Sequence, residues 1–319
     1  MPEVITFDEA IKATKDKDRT LLMGNGFSAN YFSYKTLLAA SGIAEGSALR
    51  NVFDALQTVD FEKVVRALED AAIVEAAYGH DERAADLRKD AQKVREALVQ
   101  AVNATHPAHR EDLDYGSSAA FLRHFNTVFS LNYDLLLYWT ILEETKLRDG
   151  FGLGTQIGRF LGPFREDAYC AVYNLHGGLH LFADADGEII KALHTGDGVI
   201  ATITETIERK HRLPVYVAEG TSRQKMQKIE STAYLRHCHA KLRENSATVF
   251  IYGHSADEND AHIYRAIFES GARHLYFGVY QPDPDKLKLL DGQLAKFQKV
   301  WGKGTKYEFY DSRSAKVWP

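Results

Sequence analysis

Four short polar motifs carry the groups that ligand binding or catalysis would use. They are residues 24–28 (GNGFS), 132–134 (NYD), 176–178 (HGG) and 253–255 (GHS), and each follows an apolar run. Together they offer glycine backbone, an amide, a carboxylate and an imidazole. Such a set suits the binding of an anionic ligand and the transfer of a proton.

The first motif predicts a turn that holds a phosphate. A buried strand that runs into Gly24 and Gly26, and then into a helix, leaves backbone N–H groups at the helix N-terminus, where a pyrophosphate binds without a lysine. The full G-x-G-x-x-G pattern is absent because position 29 is Ala29. A simple connecting turn is the alternative.

The polar residues of the other motifs also have a structural interpretation. Asn132 or Asp134 can cap the helix that follows, and Ser255 can do the same further on. A lone His176 at a strand end is more often a packed histidine than a catalyst. Ligands of parallel α/β sheets gather at the carboxyl ends of the strands, however, so four such motifs at strand ends favour one shared site.

The elements that must position these motifs are short apolar strands alternating with helices. Strand–helix alternation predicts an α/β fold of the Rossmann-like type, with a mainly parallel sheet covered by helices on both faces. Segments of helical period are 257–270 and 286–299. The predicted strands are 20–23, 127–131, 171–175, 248–252, 274–279 and 307–310.

Two segments interrupt this alternation. Residues 49–112 are charged, alanine-rich and poor in strand signals, with apolar residues three and four positions apart, which predicts a helical insertion. After His176, apolar and polar residues alternate around Asp186-Gly187, which predicts a small β-hairpin. No linker divides the chain, so we expect residues 1–319 to form a single domain.

Composition limits the class of protein. The chain has 319 residues, of which 45% are hydrophobic and 26% charged, and this is typical of a globular protein. A net charge of −5 argues against direct binding of nucleic acid. There is no apolar segment of about 18 residues and no signal-peptide pattern, so we expect a cytoplasmic protein that does not bind membranes.

The sequence gives little support for a metal site. Cys170 and Cys238 are its two cysteines, too few for a four-cysteine zinc ribbon. Residues 236–239 (RHCH) include two histidines, but adjacent helix positions point in different directions, and no His or Cys lies three or four positions away. We expect a solvated helix surface there and no metal.

In order and identity, the four motifs resemble those of the sirtuin superfamily. Residues 60–69 (DFEKVVRALE) also resemble the phenylalanine-glutamate helix of that family. The chain is most similar to the sirtuin-like domains of bacterial anti-phage defence, including a branch catalogued as a domain of unknown function. The resemblance covers residues 19–279.

The resemblance implies an NAD+ hydrolase that cleaves the nicotinamide–ribose bond to give ADP-ribose and nicotinamide and stays latent until triggered. NAD would be the substrate, and no metal would take part. Asn132 and His176 would be catalytic. The interval between them is longer than in classical sirtuins, so His180 is the alternative histidine.

The resemblance also implies a set of NAD-binding residues. The first motif would hold the diphosphate, with Phe27 over the ribose or, as the alternative, packed beneath the loop, and Asp134 would hydrogen-bond the nicotinamide carboxamide. The last motif would meet the adenosine half. The full set is Gly24, Asn25, Gly26, Phe27, Ser28, Asp134, Gly253 and Ser255.

Two departures from classical sirtuins narrow the expected activity. Without a zinc ribbon, protein deacylation is disfavoured. Leu131 stands where those sirtuins have a glutamine that contacts the ribose. The alternatives are therefore a sensor that binds NAD or ADP-ribose without turnover, and a silent subunit of a defence complex. The expected partners are a second copy of the chain or a defence protein such as an ATPase, which would contact the helical insertion.

Overall fold

The fold was analysed in a computed structural model, which describes residues 2–32, 37–107, 109–143, 146–151, 158, 160, 170–193, 198–217 and 220–319. Across these residues the chain forms ten strands and twelve α-helices. The strands are β1 Val4–Thr6, β2 Arg19–Met23, β3 Thr127–Ser130, β4 Val172–Asn174, β5 Gly177–Ala183, β6 Ile189–Lys191, β7 Pro214–Tyr216, β8 Thr248–Tyr252, β9 His274–Val279 and β10 Lys306–Asp311. The helices are α1 Phe7–Ala13, α2 Leu37–Ala40, α3 Ala48–Ala55, α4 Phe61–Ala77, α5 Asp81–Thr105, α6 Gly116–Leu122, α7 Leu136–Ile141, α8 Gly198–Glu208, α9 Ser222–Ser231, α10 Ala233–Arg243, α11 Ala261–Glu269 and α12 Pro284–Trp301.

Seven of the described strands form one parallel sheet in the order β1-β10-β9-β8-β2-β3-β4. From β2 the chain builds outward to β3 and β4, and later returns to the opposite side of β2 with β8. The strand order therefore reverses between β2 and β8. The carboxyl ends of strands at such a reversal leave a crevice for a ligand.

Both faces of the sheet are buried. In β2, Leu21 and Met23 pack into the apolar cluster on one face, while Leu22 packs into the cluster on the other. In β8, Phe250 packs into the first of these clusters and its neighbour Ile251 into the second. Side chains alternate along a strand, so a strand buried on both faces is a continuous apolar run. The predicted α/β fold with a mainly parallel sheet is confirmed.

A second, antiparallel sheet has the order β6-β5-β7 among the described strands. Strands β5 and β6 form a hairpin whose turn contains Gly187 at φ +81°. This positive φ explains the Asp-Gly pair at the turn, because glycine adopts it without strain. The predicted small hairpin is confirmed.

Residues 48–105 form the helices α3, α4 and α5. Ser47 and Asp60 cap the first two, each accepting a hydrogen bond from a backbone N–H of the first turn. Helices α4 and α5 pack along one another, with Val64 and Leu98 buried between the helices and the rest of the core. The predicted insertion over 49–112 and the single domain over 1–319 stay predictions.

Candidate functional site

A cavity of about 650 Å³ lies at the carboxyl edge of the main sheet, across the reversal between β2 and β8. Its wall comes from the segments that follow β2, β3, β4, β7, β8, β9 and β10, and from Lys225 of α9. Volumes of this size are typical of small-molecule sites. The residues that line it include Asn25, Gly26, Asn30, Leu131, Tyr133, His176, Lys225, Gly253, His254, Ser255, Asp260, Tyr280, Arg313, Lys316 and Trp318.

Two glycine turns meet at the edge of this cavity. Gly26 donates its backbone N–H to the carbonyl of Gly253 at 2.8 Å, and Gly24 donates to Tyr252 at 2.9 Å. A Cβ on Gly26 would lie 2.5 Å from the Cα of Gly253, and Gly253 has φ +69°. Glycine is therefore required at both positions by the approach of the two backbones and, at Gly253, also by its φ.

Four backbone N–H groups of the first motif make hydrogen bonds within the protein. Besides Gly24 and Gly26, Phe27 donates to the carbonyl of Gly24 and Ser28 to that of Asn25, each at 3.0 Å. Residues 25–27 form one short 3-10 turn. Asn25, Gly26, Gly253 and Ser255 line the cavity, and their roles toward NAD stay predictions.

Phe27, Ser28 and Asn132 are buried and do not line the cavity. The ring of Phe27 packs edge-on against Trp318, with 5.3 Å between ring centroids. Asn132 donates its Nδ2–H to Ser28 Oγ at 3.2 Å. Its Oδ1 has no hydrogen-bond partner among the described residues. An unpaired buried acceptor costs about 1–3 kcal/mol, which a ligand donor would recover.

Asp134 caps α7. It is buried, and its Oδ1 accepts the N–H of Leu136 at 2.8 Å. This bond supports the start of α7, which is the structural role that the sequence offered for Asp134 as the alternative to ligand binding. Its contact with a nicotinamide carboxamide stays a prediction.

His176 is the predicted catalytic residue that reaches the cavity. It lies two residues after the end of β4 and is 5% exposed. Burial lowers the pKa of His176 well below its ordinary value, although the neighbouring carboxylate of Asp260 opposes this. Its imidazole is therefore uncharged at pH 7.

His180, the alternative histidine, occupies a different place. It lies within β5, where its ring stacks on Tyr138 at 5.0 Å between centroids, and it does not line the cavity. Burial lowers the pKa of His180 to about 3.

Next to His176 lies a network of charged and polar groups that the sequence did not predict. Asp260 Oδ1 accepts from Lys225 Nζ at 2.7 Å, and its Oδ2 lies 3.2 Å from His254 Nε2. His176 Nε2 is 3.4 Å from His262 Nε2 and 4.0 Å from Asp260 Oδ1. Burial alone would raise the pKa of Asp260, but the hydrogen bond from His254 and the nearby positive charges hold this pKa well below its ordinary value.

Sequence signals for this network are weak. Asp260 falls in the polar run 253–260, which is typical of a loop, and Lys225 lies in an ordinary polar helix, α9. The expected solvated helix surface at 236–239 is wrong in part. Cys238 is fully buried in α10, because this helix packs against β4 and α11 and that position faces the sheet.

The segment after β10 completes the cavity with positive charge. Arg313 pairs with Asp311 at 2.8 Å, and Lys316 is exposed at the rim. Trp318 donates its indole N–H to the carbonyl of Phe27 and thereby ties this segment to the first glycine turn. These residues lie beyond 19–279, so the resemblance did not include them.

Among the described residues, no helix is both long and apolar enough to span a bilayer. A family model described as a domain of unknown function (DUF4917) matches residues 21–318. Comparison with curated proteins finds no match. A solved structure, described as the crystal structure of a Sir2 homolog–NAD complex, is similar with a TM-score of 0.40 and 10% identity, over 94% of this chain and 98% of that one.

Proposed function

The chain belongs to the family described as domain of unknown function DUF4917, and on that premise we propose that it is an NAD+ hydrolase acting in anti-phage defence. Water would cleave the bond between nicotinamide and ribose, giving ADP-ribose and nicotinamide. The cavity at the carboxyl edge of the sheet is the proposed site. The part in defence is supported by the resemblance of the sequence motifs alone.

The position of His176 carries this proposal. A buried, neutral imidazole opens on a cavity at the reversal of the sheet. In the proposed reaction, the C1′–N bond breaks and nicotinamide leaves with the electron pair as a neutral molecule. Water forms the new C1′–O bond and gives its proton to His176. The leaving group is cationic before cleavage, so the reaction needs a base and good placement more than an acid.

Asn132 is proposed to help place the ribose or the water. Its neighbours Leu131 and Tyr133 line the cavity, and its Oδ1 is a buried acceptor without a partner among the described residues. Ser28 holds the other end of the amide and thereby fixes its orientation. A hydroxyl donor at this edge would satisfy Oδ1.

The diphosphate is proposed to face Arg313 and Lys316. The N–H groups of Gly24 and Gly26 are already bonded to the turn at 252–253, whereas both cationic side chains line the cavity. Charged donors also bind phosphate more strongly than neutral ones. The backbone contacts that the resemblance implied stay a prediction.

Binding without turnover is the second candidate, and Leu131 favours it. This apolar side chain lines the cavity where classical sirtuins have a glutamine that contacts the ribose. A sensor of NAD or ADP-ribose would still need the cavity and its cationic side chains for binding, but it would not need a base.

The test is release of nicotinamide from NAD by the purified chain, with binding of ADP-ribose measured by calorimetry on the same sample. We expect His176→Gln to lower the rate by about 100-fold to 10,000-fold, the usual contribution of a proton-transfer residue. His180→Gln is the matched control, since that histidine is equally buried but outside the cavity. Because a latent enzyme would be silent alone, the assay is repeated in lysates of phage-infected cells that express each variant.

Three outcomes separate the candidates. Cleavage that depends on His176 supports the hydrolase. Binding of ADP-ribose without cleavage under either condition supports the sensor. Neither binding nor cleavage, or full cleavage by His176→Gln, contradicts the proposed site.

A further inference from the structure

His176, Asp260 and His262 bring three metal-ligating atoms close together beside the cavity. Their donor atoms all lie within 4.8 Å of one another. His176 and Asp260 line the cavity, and His262 lies behind them at the start of α11. We propose that this cluster binds a divalent transition-metal ion of the Zn²⁺, Co²⁺ or Fe²⁺ class.

The spacing of the donor atoms fits such an ion. The two Nε2 atoms are 3.4 Å apart, and two imidazole nitrogens on one tetrahedral zinc, at about 2.0–2.1 Å each, would be about 3.3 Å apart. Asp260 Oδ1, at 4.0 Å from His176 Nε2 and within 4.8 Å of the donor atom of His262, would have to approach the two histidines by about 0.7 Å to about 1.5 Å. Two histidines and a carboxylate are a common ligand set for these metals.

Hydrogen bonds behind the cluster orient its ligands. Ser222 Oγ lies 3.1 Å from His262 Nδ1, which leaves Nε2 of that ring to coordinate the ion. His254 accepts the N–H of Ala256 on its Nδ1, so its proton lies on Nε2 and is donated to Asp260 Oδ2. Metal-ligating histidines and carboxylates usually have such partners, and both are present before any ion binds.

Lys225 competes with the proposed ion. Its ammonium donates to Asp260 Oδ1, the oxygen that faces the histidines, and its side chain is 12% exposed. The ammonium and the metal ion would share one carboxylate oxygen and repel one another. Removing the charge of Lys225 should therefore tighten metal binding. If the network were only structural, loss of this charge would not tighten metal binding.

The fourth coordination position would face the cavity, as in zinc sites that keep one position open for water or substrate. Coordination would use the lone pair of His176 Nε2, the same lone pair that the proposed hydrolysis needs. If the proposed function holds, the metal-loaded protein should therefore not cleave NAD. This consequence rests on the proposed function, but metal binding itself does not.

The test is a titration of the full chain, stripped of metal with a chelator, with Co²⁺ followed by its visible absorption and then displaced by Zn²⁺. We expect one Co²⁺ per chain. Asp260→Asn and His262→Gln should each weaken binding more than about 100-fold. Ser222→Ala should weaken it about 10-fold to 100-fold, the usual effect of losing a partner of a metal ligand.

Two further variants complete the design. Lys225→Met should bind Co²⁺ more tightly than the unmodified chain. His237→Gln is the matched control for adventitious binding, since it removes a half-buried histidine of α10 outside the cluster, and it should leave the affinity unchanged. Circular dichroism verifies the fold of each variant. If Asp260→Asn or His262→Gln does not fold, the affinity of Ser222→Ala for Co²⁺ decides the result.

The proposal is overturned if Co²⁺ binding does not saturate at one ion per chain, or if His237→Gln weakens it as much as His262→Gln does. If the metal-free chain cleaves no NAD, either purified or in lysates of phage-infected cells, while Co²⁺ binding is intact, the proposed function is contradicted and the metal site stands.

Discussion

His106 should make the protein sensitive to mild acid. The residue is buried just after α5, where its Nε2 accepts the N–H of Leu135 at 3.1 Å and its Nδ1 lies 3.3 Å from the carbonyl of Val102. This pair of contacts requires a neutral ring with the proton on Nδ1. A second proton, on Nε2, would face the N–H of Leu135 and loosen the start of the segment that leads into α7.

The size of the effect follows from the pKa of His106. Burial lowers it to about 4, against about 6.5 in an unfolded chain. Between these values the unfolded chain binds a proton that the folded chain does not, so stability is present above pH 6.5 and is lost as the pH falls toward 4. Each pH unit in this window costs about 1.4 kcal/mol, which amounts to about 2 kcal/mol between pH 7 and pH 5.

The substitution that tests this is His106→Gln, since an amide keeps a donor and an acceptor but does not titrate. Urea unfolding followed by tryptophan fluorescence gives the free energy of unfolding of both proteins at pH 7, 6 and 5. We expect the difference between them to shift by about 2 kcal/mol in favour of the variant at pH 5. His109→Gln, an exposed histidine three residues on, is the control. A difference that does not change with pH would refute the argument, because His106 would then be protonated equally in both states.

Two other predictions concern the glycine turns and the segment that covers them. Gly253→Ala should lower the free energy of unfolding by about 1–3 kcal/mol more than Gly304→Ala, because both glycines have positive φ but a Cβ at Gly253 alone meets backbone, at 2.6 Å. Equal losses in urea unfolding would show that the turns do not need this close approach. Trp318→Phe should cost about 1 kcal/mol through the lost donor to the carbonyl of Phe27, with Trp301→Phe as the control, and an unchanged stability would count against that bond.

The main sheet could be predicted because its strands are buried on both faces. Continuous apolar runs such as β8 and β9 have the predicted bounds, 248–252 and 274–279. Strand β1, Val4–Thr6, was not predicted, since it is a three-residue edge strand paired on one side only. So short a segment has no measurable periodicity, and its pairing with β10 depends on residues about 300 positions away.

The candidate site could be predicted only where it follows a strand. His176, Gly26 and Gly253 stand at strand ends, and the parallel sheet brings such ends together whatever the loops do. Lys225 and Asp260 reach the same cavity from α9 and from the turn before α11. Their approach depends on how helices pack over the sheet, which no short motif encodes.

The glycines are weaker evidence for a ligand than the sequence suggests. Gly26 and Gly253 are required by the contact between their own turns, so the fold would need them even if nothing ever bound there. A group that stability alone does not explain is a better indicator. The Oδ1 of Asn132 is buried without a partner among the described residues, and the neutral ring of His176 opens on the cavity. The case for catalysis therefore depends on these two side chains, and a variant that removes either should impair the chemistry while both glycine turns stay in place.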